Sequence, residues 1–175
     1  MFYKAIFVVM FVLSVFLEAS TLNNIKSFDA DFEQKIINPS KKEILYSGHL
    51  YLKDPYYILW QYKKPIIKSV YIVNDFAIID EPELEQAILT KLKNEIDIFN
   101  LIKNAKEVSK NRFVANIYDV KYNLFTKDNK INKIEYKDAL ENNVTITFSN
   151  VKQNTDIDDG LFKFLPPENY DIIRK

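Results

Sequence analysis

Apolar and polar residues alternate along most of this chain. Phe28, Ala30, Phe32 and Gln34 form one largely apolar face, while Asp29, Asp31, Glu33 and Lys35 occupy the other. A period of two with a charged outer face predicts a half-buried strand. Similar runs stand at Ile44–Lys53, Tyr56–Tyr62, Ser69–Val73, Asn111–Asn116, Tyr118–Thr126, Lys130–Lys137 and Val144–Val151. Turn signals separate them: Asn38-Pro39-Ser40, Asp54-Pro55, Lys63-Lys64-Pro65, Asn74-Asp75, Asp128-Asn129 and Glu141-Asn142-Asn143. Strands at this spacing, joined by short polar turns, predict an antiparallel meander.

Two segments read as helical. Ser20–Ser27 carries Leu22 and Ile25, with Phe28 next, at a spacing of three. Asn94–Lys106 carries Ile98, Leu101, Ile102 and Ala105 on one stripe, with Asp97, Lys103 and Lys106 off it. Glu83–Lys93 fits both periods: Leu84, Ala87, Ile88 and Leu92 suit a helix, while Gln86, Ile88, Thr90 and Leu92 alternate as in an edge strand. Propensity favours the helix. Two helices of about ten residues, each about 15 Å long, cannot cover nine or ten strands spaced about 4.8 Å apart. The sheet must curl on itself while the helices plug what stays open. The expected fold is therefore mainly β with short α: a curled antiparallel incomplete (half) barrel with a helical lid over an apolar cavity.

The first residues belong to a different pattern. Lys4 precedes thirteen residues, Ala5 to Leu17, of which only Ser14 is polar, and Ala19 then precedes Ser20. Residues 1–19 match a cleavable secretory signal, and the apolar run is short for a membrane span of about 20 residues. Export to the periplasm is the expectation. Residues 20–175 show no repeat, linker or low-complexity tract and read as a single domain.

Composition narrows the function further. The chain has 24 Lys or Arg and 24 Asp or Glu among 175 residues, with no Cys and one His. Neutral charge without a long basic run argues against a nucleic-acid partner. The lack of Cys excludes disulfides, Cys-ligated metals and cysteine nucleophiles, and one His excludes a multi-His metal site. With two glycines, Gly48 and Gly160, no phosphate loop, dinucleotide fingerprint or elbow serine can be built. The same scarcity means that turns needing positive φ must use Asn and Asp.

Candidates for chemistry are few. His49 and Ser47 fall on the outward face if Leu50 and Leu52 point in, and no orienting acid accompanies His49 in sequence, so a solvated strand histidine is expected. Asp156, Asp158 and Asp159 lack the spacing and closing Glu of a calcium loop and read as a solvated turn. No catalytic residue, metal or cofactor is expected, and the chain does not read as an enzyme. The conspicuous feature is aromatic content: 13 Phe, 11 Tyr and one Trp. A β core and a ligand cavity would both use such residues.

Several short motifs follow one another in a telling order. Phe28-Asp29-Ala30-Asp31-Phe32-Glu33-Gln34-Lys35 comes first, then Gly48-His49-Leu50-Tyr51-Leu52-Lys53-Asp54-Pro55. Tyr57-Ile58-Leu59-Trp60, Lys64-Pro65 and Phe162-Lys163-Phe164-Leu165-Pro166-Pro167 complete the series. This order resembles the periplasmic outer-membrane lipoprotein carrier (LolA) family across nearly the whole chain after residue 19. The resemblance implies a half-barrel whose apolar cavity takes the acyl chains of a lipoprotein from an inner-membrane ABC lipoprotein-releasing transporter. The cargo crosses the periplasm and passes to an outer-membrane acceptor. The carrier itself would be a monomer without cofactor, nucleic acid or catalysis. A carrier of another amphiphile or glycolipid, or a half-barrel lipid-sensing module, remains the alternative.

By the same resemblance, the acyl-chain cavity falls to Leu22, Phe28, Phe32, Leu50, Leu52, Ile58, Trp60, Ile134 and Phe148. The lid falls to Ile98, Leu101 and Ile102. Many family members place an Arg before the strand-ending proline, where it latches the lid; here Asp54 stands there. Aspartate accepts hydrogen bonds and cannot replace a guanidinium donor. Either another group, such as Lys53, latches the lid, or the lid is held differently. The family's Asp-Gly turn stands as Asn74-Asp75 and its Gly after Pro-Pro as Asn169.

Overall fold

A computed structural model describes residues 21–91 and 98–175. The segment 1–19, read above as a signal, lies outside the described residues, as do Leu92 and Lys93 and the first residues of the second expected helix.

Twelve strands form one sheet. Two long strands, β1 (Ser27–Ile37) and β2 (Glu43–Lys53), pair along their whole length, and β3 (Tyr57–Lys64), β4 (Lys68–Val73), β5 (Phe76–Glu81) and β6 (Gln86–Lys91) continue outward from β2. A short helix, α1 (Ile98–Asn104), then leads to β7 (Lys106–Ser109), β8 (Arg112–Ile117), β9 (Val120–Lys127), β10 (Lys130–Lys137) and β11 (Asn143–Gln153). The chain closes with β12 (Asp171–Arg174). The spatial order is β12-β6-β5-β4-β3-β2-β1-β11-β10-β9-β8-β7, antiparallel except for the β12–β6 pair. The ends of that order, β12 and β7, are not joined, so the barrel is incomplete.

Turn chemistry follows from the shortage of glycine. Tyr118-Asp119 and Asp128-Asn129 form two-residue hairpin loops in which both residues have positive φ, the twist that matches right-handed strands. Among the described residues Asn and Asp supply seven of the twelve non-glycine positive-φ positions, and neither glycine has one. Gly48 serves close approach instead. A Cβ there would lie 1.8 Å from the Gln61 carbonyl oxygen and 2.9 Å from the Phe32 ring. It sits beside the register shift between β2 and β3 at Ser47/Gly48.

Several expectations are corrected or settled. Ser20–Ser27 is not a helix: a 3-10 turn covers Thr21–Asn24, and the chain is already extended at Ser27 to pair with Lys53. Of Glu83–Lys93, which fitted both periods, the described residues resolve as a 3-10 turn, Pro82–Leu84, followed by β6, so pairing with β5 and β12 decides for the strand. The second helix ends at Asn104, and Lys106 opens a strand. Strands β5, β7 and β12 were not foreseen.

Inward-facing residues of the curled sheet, with α1 and the Thr21–Asn24 turn, build the main core. A second, smaller core lies outside the barrel. After β11 the chain crosses the outer face of β3 and β4 as a strap. Ser27 Oγ donates to the Thr155 carbonyl at 2.5 Å, Ile157 and Phe162 bury against Leu59, and Phe162 and Phe164 pack on Tyr57 and Tyr71. Burying Leu59, Ile157 and Phe162 contributes about 1.5–3 kcal/mol each.

The strap also covers Asp80. The Tyr170 hydroxyl hydrogen-bonds its carboxylate, while Oδ1 is sealed from solvent without a partner. Burial pushes the Asp80 carboxyl above its ordinary value. A carboxyl raised on folding favours the native state only while protonated, and that contribution disappears as pH rises through the native value. Ionised Asp80 therefore weakens the strap at neutral pH. Asp80→Asn should raise the melting temperature at about pH 7 and leave it unchanged near about pH 3. Thermal unfolding followed by circular dichroism checks this, and a lower melting temperature at pH 7 would refute it.

Candidate functional site

The alternation read from the sequence sends one set of side chains inward. Leu22, Phe28, Phe32, Leu50, Leu52, Ile58, Trp60, Ile134 and Phe148 are all buried in one continuous cluster, together with Ile98, Leu101 and Ile102 of α1. The cluster has two unlike ends. At the end made by the start of β1, the end of β2 and the end of β11, α1 is wedged into the barrel. Ile98 and Ile102 meet Phe28, Leu50, Leu52 and Phe148 there, with no space left for a water molecule. Edge-on ring packing of Phe28 on Phe148, at 5.1 Å, fixes that wall.

Open space lies further along the barrel. A cavity of about 260 Å³ is walled by Trp60 and Tyr62 of β3, Val70 and Ile72 of β4, and Ala77 and Ile79 of β5. Gln34, Lys68, Thr90 and Ile146 complete it. Its volume sits just below the about 300–1,000 Å³ of ordinary ligand pockets. Trp60 and Tyr62 supply the rings of its wall, and Phe32 packs edge-on against both from the core, with centroids 5.0 to 6.3 Å apart across the three rings. Lys68 Nζ lies 4.9 Å from the Tyr62 ring centroid, placing a cation at the end of the cavity away from α1.

Of the nine residues assigned to a cavity, only Trp60 borders this space; Phe28, Leu50, Leu52 and Phe148 line the filled end instead. The β4 and β5 side was missed. Val70 and Ile72 were recoverable, since pairing puts them opposite Trp60 and Ile58, whereas Ala77 and Ile79 lie on a strand that was not foreseen.

The lid contacts also differ in detail. Phe99, absent from the expected lid set, is 2% exposed, and its ring meets Tyr56 at 6.1 Å. Lys103 Nζ stands 5.2 Å from the same Tyr56 ring. Tyr56, in the β2–β3 turn with φ of 80°, is thus the residue beyond Asp54-Pro55 that touches the lid. Among the described residues, Lys53 is bound elsewhere. Its ammonium donates to the Ile157 carbonyl and to Asp159, both at 2.6 Å, on the strap. That bond raises the Lys53 pKa and lowers that of Asp159. The backbone N–H of Asp54 donates to the Lys26 carbonyl at 2.8 Å.

Other charged candidates also find structural partners. Asp158 caps the Asp159–Phe162 turn by accepting from the Gly160 N–H at 3.0 Å. His49 faces outward as expected but is not simply solvated. Nε2 and Nδ1 lie 2.7 and 2.8 Å from carboxylate oxygens of Asp29 and Asp31 on the neighbouring strand. Asn150 and then His49 hold the Asp31 carboxyl below its ordinary value. The orienting acids were invisible in sequence because they lie across the β1–β2 pair. His49 thereby ties two strands together on the outer face.

A curled sheet with a ring-lined apolar cavity and a helix wedged in one end defines a binding protein for apolar or amphiphilic ligands. Comparison with known sequences makes the class specific. Residues 23–165 match the family described as outer membrane lipoprotein carrier protein LolA, and the chain belongs to that family. Proteins named outer-membrane lipoprotein carrier protein are 39% identical over 159 residues in Helicobacter pylori strain P12, covering 90% of this chain and 85% of that one. The one from Wolinella succinogenes is 36% identical, covering 91% and 93%. That from Campylobacter jejuni is 34% identical, covering 98% and 99%. Among solved structures, an uncharacterized conserved protein from Thermus thermophilus superposes with a TM-score of 0.57 at 9% identity, covering 89% and 94%. A LolA superfamily protein from Nitrosomonas europaea gives 0.51 at 13%, covering 83% and 94%. These last two support the fold alone.

Proposed function

We propose that this protein is a periplasmic carrier that holds the acyl chains of lipoproteins and moves them from the inner to the outer membrane. The observation that carries the proposal is the ring-lined cavity beside a lid that fills the rest of the barrel with apolar side chains. Residues 1–19 act as the export signal and are removed. An ABC transporter in the inner membrane supplies the cargo, an outer-membrane acceptor receives it, and the carrier works as a monomer without catalytic chemistry or cofactor.

Energetics explain the arrangement. Each buried methylene is worth about 0.8 kcal/mol, so one chain of about 16 carbons costs on the order of 12 kcal/mol to leave in water. Several chains fully buried would pass the affinity ceiling near about 18–21 kcal/mol, and release would stop. A carrier must therefore hold cargo incompletely. A lid that competes for the same apolar wall lowers the net affinity to a workable range.

Native mass spectrometry of protein from periplasmic extract tests this reading, with co-expression of a lipoprotein in acylated or non-acylatable form. A complex should form with the acylated cargo alone, on a chain beginning near Ser20. Val70→Glu places a charge in the cavity wall at a half-buried position. It should weaken the complex at least about tenfold, because an unpaired charge cannot face an acyl chain without loss. Equal binding of the non-acylated cargo, or normal binding by Val70→Glu, would reject the carrier. A small bound lipid in place of the lipoprotein would point to a different amphiphile as cargo.

A further inference from the structure

Several hairpin tips here expose a single large apolar residue, as at Phe76, Tyr118 and Leu140. The β3–β4 tip exposes two side by side. It reads Lys63-Lys64-Pro65-Ile66-Ile67-Lys68, with Ile66 42% and Ile67 54% exposed. The β1–β2 hairpin ends at the same side of the barrel and exposes Ile44 and Leu45, each 49%. Lys41 and Lys42 stand exposed in its turn. Four bare isoleucine or leucine side chains among five lysines make an apolar tip with a cationic rim.

Acidic groups at this end are engaged locally or stand to one side of that rim. In the β10–β11 turn Glu141 is paired with Lys137, and Asp138 accepts from the backbone N–H groups of Leu140 and Asn142. Glu43 is paired with Lys35 at 3.2 Å. Glu81, Glu83 and Glu85 belong to the β5–β6 turn, beyond β4, and Glu81 accepts from Gln86. Like-charge repulsion of those carboxylates from an anionic surface would tilt the molecule onto its β1–β4 side. The cavity reaches this same end. Tyr62 and Lys68, which line it, are the cross-strand pair that closes the β3–β4 hairpin below Ile66-Ile67.

We propose that the β3–β4 tip, supported by the β1–β2 turn, docks this protein directly on an anionic phospholipid bilayer. Ile66 and Ile67 enter the headgroup layer, and Lys41, Lys42, Lys63, Lys64 and Lys68 face the lipid phosphates. The cavity end beside Lys68 then lies at the membrane surface, where an acyl chain can pass between bilayer and barrel. This inference rests on the carrier reading for its purpose, though vesicle binding itself does not require cargo.

Co-sedimentation with vesicles separates the possibilities. Protein from periplasmic extract should pellet with phosphatidylethanolamine–phosphatidylglycerol vesicles, less with phosphatidylcholine alone, and less again as salt shortens the range of the charges. Ile66→Asp combined with Ile67→Asp should lower binding about tenfold or more, and Lys63→Glu with Lys64→Glu should lower it by a similar factor. Leu165→Asp, on the strap at a residue that is 86% exposed, should change nothing. Trp60 emission, from the single tryptophan, reports both the fold and acyl-probe uptake without vesicles. Vesicle binding unchanged in the Ile66/Ile67 variant, or absent in the wild type, would overturn docking, even with acyl uptake intact. Retained docking with no acyl uptake would instead overturn the carrier reading alone. Failed lipoprotein delivery by that variant without any vesicle binding in the wild type would assign the tip to a protein partner and reject the lipid surface.

Discussion

Gly48→Ala should lower the melting temperature by about 10 °C, the largest loss expected from a single methyl group in this chain. The new Cβ would lie 1.8 Å from the Gln61 carbonyl oxygen, which is backbone of the paired strand and cannot swing aside like a side chain. Relief requires β2 and β3 to separate next to the register shift at Ser47/Gly48. It also requires the Phe32 ring, 2.9 Å away, to leave its edge-on contact with Trp60 at 5.0 Å. Overpacking a core costs about 1–3 kcal/mol where side chains can yield, and a clash with backbone belongs at or above the top of that range. About 3 kcal/mol is a large share of a net stability of about 5–15 kcal/mol. Ser47→Ala, one residue away on the outer face, should shift the melting temperature by no more than about 2 °C. Thermal unfolding followed by Trp60 emission measures both. A Gly48→Ala protein melting within that same small interval would show that the two strands have room to part.

The part of the fold that was legible is the part with one face in solvent. Strands β1, β2, β3 and β8 to β11 alternate because their outer faces are wet, and polar turns punctuate them. Strand β5 was not legible, and the reason is physical. In Phe76-Ala77-Ile78-Ile79 the cavity takes Ala77 and Ile79, while the other face carries the half-buried Ile78 and the 61% exposed Phe76, so both faces are apolar and the period of two disappears. Ala87-Ile88-Leu89 of β6 lies between β5 and β12 and reads equally well as a helix until those partners are known. The 3-10 turn at Thr21–Asn24 kept the spacing of three that suggested a helix, but pairing of Ser27 with Lys53 left room for one turn only. Inward-facing residues could be found by parity alone. Which of them line open space depends on where α1 docks, a contact between distant parts of the chain. The partners of Lys53 and His49 were hidden for the same reason, since Asp159 and Asp31 reach them only through the strap and the β1–β2 pairing.

Phe99→Ala should tighten acyl-chain binding by about tenfold or more, although it removes a buried apolar side chain. The seven described residues of helix α1 are too few to hold a helix alone in water, so their position depends on the side chains they bury. Ile98, Phe99, Leu101 and Ile102 are each no more than 2% exposed. Ile98 and Ile102 occupy the wall of Phe28, Leu50, Leu52 and Phe148 that an acyl chain longer than the open cavity would need, and Phe99 helps to seat the helix that carries them. On the proposed carrier reading lid and cargo are alternatives, and the free energy of seating the lid would subtract from the affinity for cargo. Truncating a buried Phe costs about 3–5 kcal/mol in a rigid core. If only about 1.4 kcal/mol of that falls on lid seating, affinity rises tenfold. Because Phe99 meets Tyr56 at 6.1 Å on the barrel rim, Tyr56→Ala should act in the same direction with a smaller effect. Titration of a fluorescent acyl probe, read by Trp60 quenching, gives the affinities, and Leu140→Ala, at an exposed position in the β10–β11 turn, serves as the control. Slower hand-over of cargo should accompany the tighter binding, since a lid that closes less readily expels its ligand less readily. An unchanged or weaker affinity in Phe99→Ala would mean that α1 supports the bound chain and does not compete with it.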